Sequence, residues 1–289
     1  MHWLRTGRLS VEQLTISISG LPSYLEGVTL VQMSDFHYDG KHLSEQMLED
    51  AIAASNKAQP DLVLLTGDYI THKPAFIHQL VDKLKYLKSR GGVYAVLGNH
   101  DNISYKGQSS KVEIVSALTS IGIQVLDNDI AYPLGKDLPL VGIADYRLRE
   151  IHPAPVMNIL DNDTPRIVIC HCPDTAVYLQ PWRVDLQLSG HTHGGQIAIP
   201  GLGALMPYYL KLCHKIPNKI RRRLPKAVNR ANRPWWLGLY KVGNNLLYVN
   251  RGLGTYKPGR LFCPPEVTVI KLKANNLGFA LHTLRTQRV

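Results

Sequence analysis

The sequence predicts an α/β protein in which sheets are flanked by helices within a single domain. Three observations lead there. Short β-branched apolar runs recur along the 289 residues, each ending in small or polar residues. Helical stripes of apolar residues lie between several of them through the first half. No repeat and no flexible linker divides the chain.

The elements follow in order. Val28–Met33, Leu62–Thr66, Val93–Leu97, Leu140–Ala144, Ile167–Cys170 and Asp185–Leu188 are largely unalternating, as expected of strands buried on both faces. Ser44 is placed to cap a helix with Met47, Leu48, Ala51, Ile52 and Ser55 on one face, ending before Pro60. Ile77, Leu80, Val81, Leu84 and Leu87 form a second stripe, closed by Gly91 and Gly92. Ile114, Val115, Leu118 and Ile121 form a third, stopped at Gly122. The C-terminal third offers strands without helices, at Leu237–Val242, Leu246–Asn250, Val267–Lys273 and Phe279–Leu284.

Composition narrows the class further. With 45% apolar and 19% charged residues, the chain is not a coiled coil, a collagen or a wholly disordered protein. No stretch approaches the ~18 consecutive apolar residues of a membrane span. The first residues carry bases but no apolar segment and no cleavage site, so a secretory signal is not expected and a cytoplasmic location is. Cys170, Cys172, Cys213 and Cys263 show no C-x-x-C pairing. Cys170 and Cys172 are too poorly placed for a disulfide across two residues, so all four read as reduced thiols.

The net charge of +11 is local. Residues 201–251 hold eleven bases, and no acid occurs between Asp185 and Glu266; the remainder of the chain is neutral. From Tyr209 to Lys226, apolar and basic residues alternate at helical spacing, and Trp235 and Trp236 lie at the edge of the segment. A basic amphipathic insert at about 201–236 reads as a binding element for an anionic membrane surface, with the protein peripheral to it. The bland alternative is a solvated basic face packed on the sheet. No nucleic-acid motif accompanies the bases, so nucleic acid is not the expected partner.

The strand endings carry the chemistry. After the first run stands Asp35-Phe36-His37, after the second Gly67-Asp68, and after the third Gly98-Asn99-His100-Asp101. His171 follows the fifth, and Gly190-His191-Thr192-His193-Gly194 the sixth. Ligands gather at the carboxyl ends of strands in open α/β sheets. Imidazole with carboxylate suits manganese, iron or zinc and is too nitrogen-rich for a magnesium or calcium cage. Asp35, His37, Asp68, Asn99, His171, His191 and His193, with one shareable carboxylate, suit two divalent transition-metal ions, manganese first among them. Any one of these residues alone is more often structural: an isolated His171 would usually be a hydrogen-bonded core residue, and Asp35 or Asp68 a turn cap. The ordered set is specific.

This order resembles the signature of the calcineurin-like metallophosphoesterases, over residues 35–193. The resemblance implies a sandwich of two mixed β-sheets flanked by helices. It implies one metal held by Asp35, His37, Asp68 and His193, and a second by Asp68, Asn99, His171 and His191, with Asp68 bridging. His100 is then the group beside the leaving oxygen, and Asp101 the residue that orients it. The longer Gly-His-Thr-His-Gly-Gly-Gln-Ile, Asn250-Arg251-Gly252-Leu253-Gly254 and Cys263-Pro264-Pro265-Glu266 resemble the branch holding membrane-associated phosphodiesterases and UDP-2,3-diacylglucosamine pyrophosphatases. The expected activity is therefore hydrolysis of a phosphodiester or pyrophosphate bond in a lipid-like phosphate substrate. The rivals are a broader phosphodiesterase or phosphatase, and a non-catalytic scaffold, which would be expected to have lost ligands this chain keeps.

Overall fold

The computed structural model describes residues 6–105, 108–145, 151–215, 234–275 and 283–288. The strands in chain order are β1 (Ser10–Ser19), β2 (Thr29–Met33), β3 (Leu62–Leu65), β4 (Val93–Ala95), β5 (Ser104–Tyr105), β6 (Gln108–Ser109), β7 (Gln124–Val125), β8 (Asp129–Ala131) and β9 (Leu140–Gly142). They continue with β10 (Ile167–Ile169), β11 (Leu186–Ser189), β12 (Ala198–Ile199), β13 (Gly203–Ala204), β14 (Gly238–Val242), β15 (Asn245–Val249), β16 (Glu266–Asn275) and β17 (Thr283–Arg288).

Two mixed sheets face each other. One runs β17-β1-β16-β2-β3-β4-β7 and the other β14-β15-β11-β10-β9-β8. Strands β2, β3, β4 and β7 are parallel, as are β9, β10, β11 and β15. Period two sorts their side chains between layers. Leu30, Leu62, Leu64, Ile167, Ile169, Leu186 and Leu188 meet between the sheets. Val31, Met33, Val63, Leu65 and Ala95 face outward, under helices. Both faces are buried, which is why these runs show no polar alternation.

The helices Glu45–Lys57, Phe76–Leu84 and Ser110–Ser120 cover the larger sheet. The first is capped as its sequence predicts: Ser44 Oγ accepts from the Met47 N–H, and Met47, Leu48, Ala51, Ile52 and Ser55 are its buried face. The second buries Ile77, Leu80, Val81 and Leu84. The third buries Ile114 and Leu118 together with Ala117 and Ser110, leaving Val115 and Ile121 only partly covered.

The short strands β5–β8, β12 and β13 and the helix Pro153–Met157 were not expected from the sequence, and two longer strands of the larger sheet also differ. Ser10–Ser19 forms a ten-residue strand that the reading left unassigned, pairing in parallel with β16 and antiparallel with β17. Its Leu14, Ile16 and Ile18 enter the inter-sheet core. The final strand is Thr283–Arg288, and residues 279–282 of the expected Phe279–Leu284 run lie outside the described residues. Of the basic insert, the structure describes the β12–β13 hairpin, a helix Met206–Lys215, and residues 234–236; residues 216–233 lie outside it. No helix among the described residues is long and apolar enough to cross a membrane.

Candidate metal centre

The parallel strands of both sheets end on one side of the sandwich, and every candidate ligand sits in a loop leaving such an end. Asp35 and His37 follow β2, Asp68 follows β3 and Asn99 follows β4; His171 follows β10, and His191 and His193 follow β11. Five of these seven hold positive φ: Asp35 (52°), His37 (45°), Asp68 (58°), His191 (71°) and His193 (51°). Each such non-glycine residue stores on the order of 1 kcal/mol of strain, which persists only where the surroundings dictate it. Glycines make room for the close approach. A Cβ on Gly190 would stand 2.3 Å from Asp35 Oδ2, and one on Gly98 would stand 2.2 Å from Asp68 Oδ1.

Donor atoms of Asp35, His37 and His193 converge in one group, and those of Asp68, His171 and His191 in another; His37 and Asp68 also close a third with His100, where the two meet. His37 Nε2 is 3.1 Å from His193 Nε2, and His193 Nε2 is 3.3 Å from Asp35 Oδ1. His171 Nε2 is 3.1 Å from His191 Nδ1 and 3.1 Å from Asp68 Oδ2. Asp68 Oδ2 also lies 3.4 Å from His37 Nε2, so a single carboxylate oxygen faces both groups.

The hydrogen bonds behind these atoms decide what the site accepts. His171 Nδ1 is 2.7 Å from the Thr66 carbonyl and His193 Nδ1 is 3.1 Å from the Gly254 carbonyl, and each must donate there. Both imidazoles then point an Nε2 lone pair inward, the arrangement of a metal-ligating histidine. Asp68 Oδ2 and Asn99 Oδ1 are buried without a hydrogen-bond partner. Facing acceptors and orphaned oxygens, all buried, fit a pair of cations and leave little else that would satisfy them.

Electrostatics agree. Burial raises the Asp35 carboxyl to about 6, and Asp68 adds to the shift. Burial lowers His193 to about 3, helped by Arg260, and lowers His37 well below the usual imidazole range. Burial opposes charge on both Asp68 and His171, yet the pair overcomes it. The Asp68 carboxyl is held well below the ordinary carboxylate range, and the His171 imidazole well above its own. The cavity demands positive charge between these side chains.

His100 lies at the rim, half-buried. Its N–H donates to Asp68 Oδ1 (2.8 Å) and its Nδ1 to the Thr71 carbonyl (2.8 Å), turning Nε2 toward the metal-ligand cluster. Asp101 does not orient it, contrary to the expectation from sequence. The Asp101 carboxylate accepts from the N–H groups of Asp68 (2.7 Å), Gly98 (2.8 Å) and Tyr69 (2.8 Å). It holds the two loops that present Asp68 and Asn99; burial, with Asp68 beside it, raises its pKa to about 7. Adjacency in sequence suggested a His100–Asp101 pair, but the two side chains bond different partners.

The structure adds residues the sequence reading did not assign. Tyr256 Oη is 2.9 Å from His37 Nδ1, and its ring packs against His37, His42 and His193. Arg260 gathers the carbonyls of Arg251, Gly252 and Gly254, the last being the acceptor for His193. The Asn250–Gly254 run was visible as a motif, but its glycines gave no sign that the backbone carbonyls were the working groups. Cys170 and Cys172 are buried thiols outside both ligand groups.

The model of the calcineurin-like phosphoesterase family matches residues 28–195, more than half of the chain. The protein belongs to this family. As a calcineurin-like phosphoesterase it is a metal-dependent hydrolase, and its relatives extend beyond the matched region. The chain is 30% identical to the uncharacterized metallophosphoesterase YkuE of Bacillus subtilis (strain 168), over 95% of this chain and 89% of that one. It is 32% identical to phosphodiesterase YaeI of Escherichia coli (strain K12), over 83% and 80%. It is 26% identical to UDP-2,3-diacylglucosamine pyrophosphatase LpxG of Chlamydia muridarum (strain MoPn / Nigg), over 86% and 84%.

Proposed function

We propose that this calcineurin-like phosphoesterase uses two divalent transition-metal ions, manganese first among the candidates, to hydrolyse a phosphodiester or pyrophosphate bond of an amphiphilic substrate. The specific reading is cleavage of UDP-2,3-diacylglucosamine to the lipid monophosphate and UMP. The observation that carries the dimetal reading is the bridging position of Asp68 Oδ2, orphaned, 3.1 Å from His171 Nε2 and 3.4 Å from His37 Nε2. The similarity to LpxG supports the lipid-like substrate, and the similarity to YaeI supports the second reading, a phosphodiesterase acting on phospholipid or other phosphate esters.

Asp35, His37, Asp68 and His193 would hold one ion, and Asp68, Asn99, His171 and His191 the other. When bound, the metals lower the pKa of water and offset charge on the phosphoryl oxygens. The chain's own residues do the rest. The Thr66 and Gly254 carbonyls fix the tautomers of His171 and His193. Thr71 holds the His100 ring with Nε2 facing the cluster, where its imidazolium form can donate a proton to the leaving oxygen. The basic segment on a net-neutral body favours approach of an anionic substrate or surface, and peripheral association with an anionic membrane belongs to this reading.

The test is hydrolysis of UDP-2,3-diacylglucosamine with added Mn²⁺, beside bis-p-nitrophenyl phosphate, in wild type and Asn99→Ala. UMP release by wild type, lost in the variant, supports the lipid substrate and the second metal position together. Turnover of the small diester alone keeps the hydrolase and moves the substrate to other phosphodiesters. Bound metal with no turnover of any ester would revive the scaffold.

A further inference from the structure

Large apolar side chains are exposed unevenly. Ile199, Leu202, Tyr208, Leu212, Leu261 and Phe262 are 38–65% exposed, and they make up half of the exposed large apolar residues among those described. The other half are spread singly: Tyr24, Tyr86, Val112, Tyr132, Ile159 and Tyr178. Single exposed apolar residues are ordinary, but a cluster marks an interaction surface.

The six are joined by backbone. Ile199 and Leu202 form the turn of the β12–β13 hairpin, where Leu202 N donates to Ile199 O (2.9 Å). Leu261 lies alongside through a parallel bridge to Ile197, with Ala198 N donating to Leu261 O (2.9 Å). Phe262 follows at φ 51°, a conformation bulky aromatics avoid, so its exposed position is imposed by its surroundings. The helix Met206–Lys215 starts beside them, since Leu205 N donates to Ile197 O (2.8 Å). Met206 and Leu210 pack onto Trp236 and Ala204, leaving Tyr208 and Leu212, one turn apart, toward solvent.

This surface adjoins the metal centre. The hairpin continues directly from the turn carrying His193, Gln196 O accepts from Leu261 N (2.9 Å), and Gln196 bonds the backbone of Tyr256, whose hydroxyl reaches His37. Along the sequence its charge has one sign. Between residues 186 and 265 there are thirteen Lys and Arg and no Asp or Glu. An exposed apolar cluster in a stretch of sequence whose charged residues are all basic, with Lys211 exposed on the helix and Lys257 near the tip, is complementary to an anionic lipid surface, whereas a protein partner's apolar face would not need that excess.

We propose that the hairpin turn Ile199–Leu202, the Leu261–Phe262 tip and the Tyr208/Leu212 face of the helix together insert into the interface of an anionic lipid bilayer. The metal centre is thereby held against the membrane, where a phosphate ester in a lipid headgroup meets it. This rests on the phosphoesterase reading above but adds hydrophobic insertion, by different residues, to simple charge attraction.

The test is co-sedimentation with vesicles of phosphatidylglycerol and phosphatidylcholine, at low and high salt, for wild type, Leu202→Ser/Phe262→Asn and Leu212→Ser. Asparagine tolerates positive φ, so the double variant preserves the tip. Each lost large side chain is expected to weaken partitioning about tenfold, with binding by wild type partly retained at high salt. Hydrolysis of bis-p-nitrophenyl phosphate in solution is expected to be unchanged, because none of these residues touches the ligand groups. Equal sedimentation of variants and wild type, abolished by salt, would overturn insertion and leave charge attraction alone. No sedimentation of an active wild type would overturn the membrane surface but not the hydrolase. A variant-sensitive dimer in sedimentation velocity, without vesicle binding, would assign the face to a second copy.

Discussion

His100 and Asp101 are neighbours in sequence with separate tasks. The His100 ring is held by the Thr71 carbonyl, and the bond to Asp68 comes from its backbone N–H, which alanine keeps; removing the ring takes away a proton donor while the Asp35/His37/His193 and Asp68/His171/His191 groups keep every donor. His100→Ala is expected to retain bound metal by elemental analysis while turnover falls ~10²–10⁴-fold. The loss should be greater for alkyl than for p-nitrophenyl leaving groups, since the latter need no protonation. Asp101 instead accepts from the backbone of both the Gly67–Tyr69 and Gly98 loops. Asp101→Asn puts an amide where three donors already point, and is expected to cost about 1–3 kcal/mol in urea unfolding. Metal affinity should fall with it, because Asp68 and Asn99 ride on those loops. A variant of full stability whose pH–rate profile alone changed would show that Asp101 acts through His100 after all.

Among the elements, helices were more legible than strands. The Ser44 cap and the five buried positions after it could be read directly, because a cap and a 3.6-residue stripe are local properties. Ser44→Ala is expected to destabilise the protein by about 1 kcal/mol, with little change in turnover, since the bond lost, from the Met47 N–H to Ser44 Oγ, involves no candidate ligand. Strand β1 was missed although Leu14, Ile16 and Ile18 alternate at period two. Glu12 and Gln13 break the apolar run, and Glu12 is tolerated in the buried strand because Arg251, 239 positions later, pairs with it and with Glu266. A partner that distant leaves no mark beside the residue it neutralises.

At the scale of the molecule, neither sheet owns a complete site: β2, β3 and β4 bring Asp35, His37, Asp68 and Asn99, while β10 and β11 bring His171, His191 and His193. Cations bound between the sheets therefore tie them together, and chelation with EDTA is expected to lower Tm, restored by Mn²⁺. The stripped protein should also lose stability as pH rises through about 7. Asp101 is raised to about 7 from an ordinary 3.8, and His171 is raised well above 6.5, so the fold binds more protons than the unfolded chain there. His37 and His193, shifted downward, are neutral in the fold and oppose this trend only in part, because an unfolded imidazole of ordinary pKa 6.5 is mostly neutral by pH 7. A thermal-shift series from pH 6.5 to 8 that rose instead would contradict these environments. What the sequence by itself determined was the donor set, its placement at strand ends, and the family, because residue type and local period are carried by neighbours. What only the tertiary structure decided was how closely the donor atoms stand to one another, which backbone carbonyls aim them, and that the Asp101 carboxylate bonds the loops. Those are relations between segments far apart in the chain, and they exist only once the two sheets have packed.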